Sequence, residues 1–141
     1  MIIVVCGPSG VGKTKMSIEL AKYYNGIIIN ADATQIYKEL DIGSSKIKPS
    51  ETEGIKHYMI DIKSPMEEYN VFEYQKDTRK ILLDNTDKNI IIVGGTGLYI
   101  NALLYDYKFD IDNPSRDKTT NHAKELYKAY YIGLTNDRKI L

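Results

Sequence analysis

Three runs of consecutive apolar residues punctuate the chain: Ile2-Ile3-Val4-Val5-Cys6, Gly26-Ile27-Ile28-Ile29-Asn30 and Asn89-Ile90-Ile91-Ile92-Val93. None alternates apolar with polar positions, so each predicts a strand covered on both faces, as in a parallel sheet. Between the runs the apolar positions recur at helical spacing. Met16, Ile18, Leu20 and Ala21 predict a helix from about Lys13 to Tyr24, stopped by Asn25-Gly26. Val71, Tyr74, Thr78, Ile81 and Leu82 predict another, opened by Asn70 as an N-cap with Glu73 three residues on. A third, apolar helix runs from Leu98 to Leu104. Shorter strands are expected at His57-Tyr58-Met59-Ile60-Asp61-Ile62, stopped by Ser64-Pro65, and at Ala129 to Leu134. Residues 38 to 56 lose all periodicity and read as a surface excursion. Residues 105 to 115 are polar and irregular, 117 to 127 weakly helical, and Thr135 to Arg138 resembles the capped start of a helix. Strands alternating with helices predict an α/β fold, a parallel sheet flanked by helices, in one domain spanning residues 1 to 141.

The chemistry lies where strands end. The first run enters Gly7-Pro8-Ser9-Gly10-Val11-Gly12-Lys13-Thr14, which matches the phosphate-loop pattern G-x-x-x-x-G-K-[ST] at every fixed position and sits between a strand and a helix, as that motif requires. Glycines let successive N–H groups turn inward, and the helix start adds its positive dipole end. Lys13 would bring a mobile charge to the outer phosphate, and the Thr14 hydroxyl is placed to help hold Mg²⁺. A P-loop NTPase-like sheet that binds phosphates or nucleotides such as ATP is therefore expected. The third run ends in a second glycine loop, Gly94-Gly95-Thr96-Gly97. A second phosphate contact and helix capping are both open to Thr96. The second run ends in Asn30-Ala31-Asp32-Ala33-Thr34-Gln35-Ile36-Tyr37, at the carboxyl end of a strand where ligands gather in such sheets. Asp32 is either a functional carboxylate or the N-cap of a short helix.

Composition narrows the partners. The 141 residues carry 19 basic and 19 acidic side chains, so no overall field favours nucleic acid or membrane, and any RNA contact must be local. The lone cysteine, Cys6, lies inside the first apolar run, which argues against a disulfide framework and for a buried thiol in a reducing compartment. The leading apolar stretch is too short for a membrane span and lacks a signal peptide's flanks. A cytoplasmic monomer is expected. His57 has no visible partner for a triad or metal set and reads as structural, whereas Lys46 and Lys48 are within the excursion that could meet phosphate.

Four pieces, Gly7 to Thr14, Asn30 to Tyr37, Leu40-Asp41-Ile42-Gly43-Ser44-Ser45-Lys46 and Gly94-Gly95-Thr96-Gly97-Leu98-Tyr99, occur in the order seen in tRNA dimethylallyltransferases. His57 to Ile62 and Ile132 to Arg138 are also similar to that family. The resemblance implies transfer of a dimethylallyl group from dimethylallyl diphosphate to N6 of an adenosine beside the tRNA anticodon, with Mg²⁺ and without ATP hydrolysis. It implies that Asp32 is the general base, that Ala33, Thr34 and Gln35 lie near the adenosine, that Thr96 contacts the pyrophosphate or the base, and that Gly7 through Thr14 hold the diphosphate. It also implies a helical insertion that grips the anticodon stem-loop and a helical continuation. The link from Tyr105 to Ala129 is too short for the insertion. A non-catalytic diphosphate-binding remnant and a small-molecule kinase are the alternatives.

Overall fold

The structure is a computed structural model and describes residues 1–8, 10–38, 46–109 and 123–135. In chain order its elements are β1 (Ile2–Cys6), α1 (Lys13–Tyr23), β2 (Gly26–Asn30), β3 (His57–Tyr58), α2 (Val71–Asp84), β4 (Asn89–Val93), α3 (Gly97–Leu104) and β5 (Tyr130–Gly133), with short 3-10 turns at Ala33–Ile36 and Pro49–Glu51. The strands form one sheet in the order β3-β2-β4-β1-β5, and every pair is parallel. In β1 and β4, Ile3 stands opposite Ile91; in β2 and β4, Ile28 stands opposite Ile91.

That register sorts the side chains onto two faces, because neighbours along a strand point to opposite sides. Ile3, Val5, Ile28 and Ile91 pack with Ile18 and Ala21 of α1. Val4, Ile27, Ile29, Ile90 and Ile92 pack instead with Val71, Tyr74 and Leu82 of α2 and Tyr99, Ile100 and Leu103 of α3. Uninterrupted apolar runs were therefore the correct sign of a sheet sandwiched between helices. Among the described residues no helix is long and apolar enough to cross a membrane.

Asn70 caps α2 as its sequence predicts, its Oδ1 accepting from the Glu73 N–H at 2.9 Å. Four expectations change. The strand expected over 57–62 pairs only at His57 and Tyr58, because Met59 and Asp61 take φ of 69° and 56°, which breaks the extended ladder. Cys6 is half-buried rather than buried, and its thiol faces the Ile132 carbonyl at 3.7 Å. The described part of the segment expected to be weakly helical is extended: Glu125 bridges Tyr105 in antiparallel fashion. Thr96 precedes α3 without capping it through its side chain. The Leu40 to Ser45 piece, residues 117–122 and the expected helix start after Thr135 lie outside the described residues.

Two backbone contacts hold the strand tips together. A Cβ on Gly94 would stand 2.4 Å from the Ala31 carbonyl carbon and 2.5 Å from its oxygen, and one on Gly7 would stand 2.5 Å from the Leu134 oxygen. Main chain occupies the space in both cases, so no rotamer change can relieve the clash. Gly94→Ala is accordingly expected to lower the unfolding free energy by at least about 2 kcal/mol, the scale of overpacking in a rigid site, read as a lower urea midpoint at unchanged m-value.

Candidate active site

The phosphate loop follows β1 at the carboxyl edge of the sheet. Gly12 forms the N-cap of α1 at φ 102°, a left-handed conformation that suits glycine. From the first turn of α1, Lys13 turns back and its Nζ donates to the Gly7 carbonyl at 2.6 Å. The ammonium thus sits inside the curl of its own loop. Thr14 lies beside it, and the Ser17 hydroxyl donates to the Thr14 carbonyl at 2.7 Å, closing the first turn of the helix. Gly10, Gly12, Lys13 and Thr14 line a cavity of about 430 Å³, bounded on the far side by Ile47, Glu51 and Glu53. Ser9 is outside the described residues; Pro8 is exposed and Val11 partly buried.

The second glycine loop lies against the first. The Gly94 N–H donates to the Val5 carbonyl at 3.2 Å, and a Cβ built on Gly95 would be 3.9 Å from both the Gly7 oxygen and Lys13 Nζ. Both loops and β1 border a second cavity of about 360 Å³, whose apolar wall is Val4, Cys6, Ile100 and Tyr131. Asp32 and Thr96 border neither of these two cavities.

Thr96 is instead joined to the residues on either side of Asp32. The Thr96 N–H donates to the Ala31 carbonyl at 3.0 Å, and the Thr96 Oγ1 accepts from the Ala33 N–H at 3.1 Å. Asp32 caps the 3-10 turn Ala33–Ile36: its Oδ1 accepts from the Thr34 N–H at 3.0 Å and the Thr34 hydroxyl at 2.7 Å, while Gln35 Nε2 approaches Oδ2 at 3.5 Å. Capping occupies one carboxylate oxygen and leaves the other with a single long contact. The two readings of Asp32 are compatible for that reason. Ala33, Thr34 and Gln35 form the same turn, with Thr34 exposed.

Lys46 does not reach toward the phosphate loop. Its Nζ donates to the Tyr37 carbonyl at 2.8 Å and to Asp61 Oδ1 at 2.5 Å, with the side chain 6% exposed, so it ties the end of the excursion to the segment after β3. Lys48 is exposed and precedes the turn Pro49–Glu51. His57 Nδ1 is paired with the Ile55 carbonyl at 2.9 Å. Sequence reasoning did not single out Glu51 and Glu53, which only the folding of the excursion brings to the cavity beside Thr14. Nor did it single out Asn30 or Tyr74, although Tyr74 is fully buried and donates its hydroxyl to the Asn30 carbonyl at 2.8 Å. Tyr74 stacks on Tyr99 with ring centroids 4.2 Å apart. Burial, with Tyr37 and Glu73 nearby, pushes the Tyr99 hydroxyl up to about 12, so it remains protonated at neutral pH.

Among the described residues no three His, Cys, Asp or Glu side chains are grouped to hold a metal. A resident cage is therefore absent from this part of the molecule. One threonine hydroxyl beside a phosphate cradle nonetheless fits Mg²⁺, which keeps several waters and is completed by ligand phosphates.

A family model described as IPP transferase matches residues 35–139. The tRNA dimethylallyltransferase of Anoxybacillus flavithermus is 54% identical over 118 residues, covering 82% of this chain and 38% of that protein. The tRNA dimethylallyltransferase of Geobacillus thermodenitrificans is 47% identical over 127 residues, covering 89% of this chain and 40% of that protein. Among solved structures, tRNA delta(2)-isopentenylpyrophosphate transferase from Staphylococcus epidermidis superposes with a TM-score of 0.72 at 49% identity, over 78% of this chain and 36% of that one. A eukaryotic dimethylallyltransferase acting on tRNA superposes with a TM-score of 0.72 at 34% identity, over 85% of this chain and 30% of that one. The chain thus spans about two fifths of the length of the curated relatives it matches. With the phosphate loop, the Asp32 turn and the Thr96 loop at adjoining strand tips, and with a match over most of its length to one family, this chain belongs to the IPP transferases.

Proposed function

We propose that the chain carries the catalytic core of a tRNA dimethylallyltransferase, moving a dimethylallyl group from dimethylallyl diphosphate to N6 of an adenosine in the tRNA anticodon stem-loop. The observation that carries this reading is the bonding of the Asp32 turn to Thr96, through the Ala33 N–H, one strand away from a complete phosphate loop. A non-catalytic diphosphate binder would have no use for a carboxylate held there; a kinase could use one toward its acceptor hydroxyl, but the family match favours neither alternative. A cytoplasmic monomer is part of the same reading.

In the reaction the adenine N6 attacks C1 of the dimethylallyl group, the C1–O bond breaks, and the electron pair leaves with pyrophosphate. Negative charge then grows on the leaving oxygens, where fixed donors lower the barrier most. The N–H groups of Gly7, Gly10, Val11 and Gly12 supply that cradle, Pro8 having no N–H to give, with Lys13 exchanging the Gly7 carbonyl for a phosphate oxygen. Mg²⁺, held by Thr14 and the diphosphate itself, would neutralise part of the charge. Thr96 Oγ1 already accepts from Ala33, which leaves its O–H free to donate to the diphosphate or the adenine. Asp32 takes the proton that N6 sheds, through the oxygen that capping leaves available. A stacked adenine must be turned out to reach it.

The roles separate experimentally. Lys13→Ala is expected to raise the calorimetric Kd for inorganic pyrophosphate with Mg²⁺ about tenfold or more, the effect of losing roughly 1.4 kcal/mol. Asp32→Asn should leave that Kd within a factor of about two, yet cut transfer to an anticodon stem-loop by about 10² to 10⁴, the usual contribution of a general base. Mass spectrometry of the stem-loop reads the transfer, and the opposite pattern in the two variants would refute the assignment.

A further inference from the structure

We propose that Asn30 is a positioning residue for the Asp32 carboxylate, an inference that rests on the role given to Asp32 above. Asn30 ends β2 with its side chain turned into the protein, 2% exposed. All three of its polar positions are engaged on this side. Oδ1 accepts from the Asp32 N–H at 3.1 Å, while Nδ2 donates to the Asp32 carbonyl at 3.0 Å and to the Met59 carbonyl at 2.9 Å. Two carbonyls need donors and one N–H needs an acceptor, so a single orientation of the amide serves all three.

A single planar amide thus holds both main-chain polar groups of Asp32 at once. That fixes the residue at φ −113° and ψ 114°, and with it the direction in which the carboxylate leaves the chain. The other partner, Met59, presents its carbonyl from a turn with φ 69°. The same segment bonds the 3-10 turn again through Asp61 N–H to the Gln35 carbonyl at 3.0 Å and Ile62 N–H to the Ile36 carbonyl at 2.8 Å. The positive-φ residues that cut β3 short are therefore the ones that grip the Asp32 turn.

Packing alone gives no reason for an amide here. Ile29 and Ala31 on either side are wholly buried, and an apolar residue would fill the position but leave the Asp32 N–H and the Asp32 and Met59 carbonyls without the bonds the amide gives them. A fully satisfied buried amide instead specifies one geometry among the alternatives an apolar core would tolerate. Asn30 also receives the Tyr74 hydroxyl on its carbonyl, and Tyr74 stacks on Tyr99 in the helix that Thr96 precedes. Asp32 and Thr96 are consequently referenced to one buried point.

The test uses the chain itself and two independent readouts. In the unaltered protein the Asp32 N–H and the Asn30 side-chain amide protons should exchange with solvent at least about tenfold more slowly than in an unstructured chain; exchange at the unstructured rate overturns the proposal. Asn30→Leu, close in size but without polar atoms, should speed Asp32 exchange about tenfold or more. At saturating substrates it should reduce kcat at least about tenfold, with KM for dimethylallyl diphosphate changed less than threefold. Leu82→Ala, a cavity variant in α2, serves as the control for lost stability and should keep kcat. Unchanged kcat per folded Asn30→Leu molecule, or equal losses in both variants, overturns the proposal. If the unaltered chain transfers nothing, the function proposed above fails, and the clamp is judged on exchange alone.

Discussion

The approach of the Gly94 main chain to Ala31 governs the rest of the site. With no side chain at 94, the loop after β4 comes close enough to the tip of β2 for Thr96 N–H to reach the Ala31 carbonyl and for Thr96 Oγ1 to receive the Ala33 N–H. Parallel pairing of β2, β4 and β1 places the three loops side by side, and the close approach removes the remaining freedom between two of them. Sheet order supplies neighbourhood; the backbone contact supplies register. The phosphate loop joins the set through Gly95, which borders both the Gly7 oxygen and Lys13 Nζ.

Strand order has a chemical consequence. Cation, hydroxyl and carboxylate come from three different strand ends, and the Thr96 hydroxyl ties the second of these to the turn that Asp32 caps. Lys13 waits on a carbonyl of its own loop, a neutral acceptor that a phosphate oxygen outcompetes by charge. Asp32, by contrast, is held by neutral donors from Thr34 and distantly from Gln35, which keeps it oriented without neutralising it by an ion pair. The prospective donor to phosphate rests on one carbonyl of its own loop, and the prospective base is held by its own turn.

Much of this was legible in the chain because the signals were strong and local. Three unbroken apolar runs located β1, β2 and β4 to the residue, and Asn70 with Glu73 located the start of α2. The phosphate loop, Asp32 and Thr96 were legible as residues at strand ends. Their partners were not, since capping and loop contacts depend on what lies opposite in space. Thr96 was open to capping α3 or to a phosphate contact, and its hydroxyl faces the Asp32 turn instead of capping. Lys46 lay in an excursion that could meet phosphate, and Asp61 and the Tyr37 carbonyl bond it. An apolar pattern does not register left-handed residues, so Met59 and Asp61 passed as strand. Asn30 carried one usable signal: two positions before Asp32 along extended chain, it starts on the same face.

Of the two partners open to Thr96, the adjoining of Gly95 with Gly7 and Lys13 favours the diphosphate, and the central proposal is that the phosphate loop and the loop after β4 share it. Amide chemical-shift mapping with inorganic pyrophosphate and Mg²⁺ tests it most directly. The account predicts saturable shifts at Gly10, Gly12, Lys13 and Thr14 together with Gly95 and Thr96, all on one binding curve. Shifts confined to the first loop, with Gly95 and Thr96 unmoved at saturation, would contradict it.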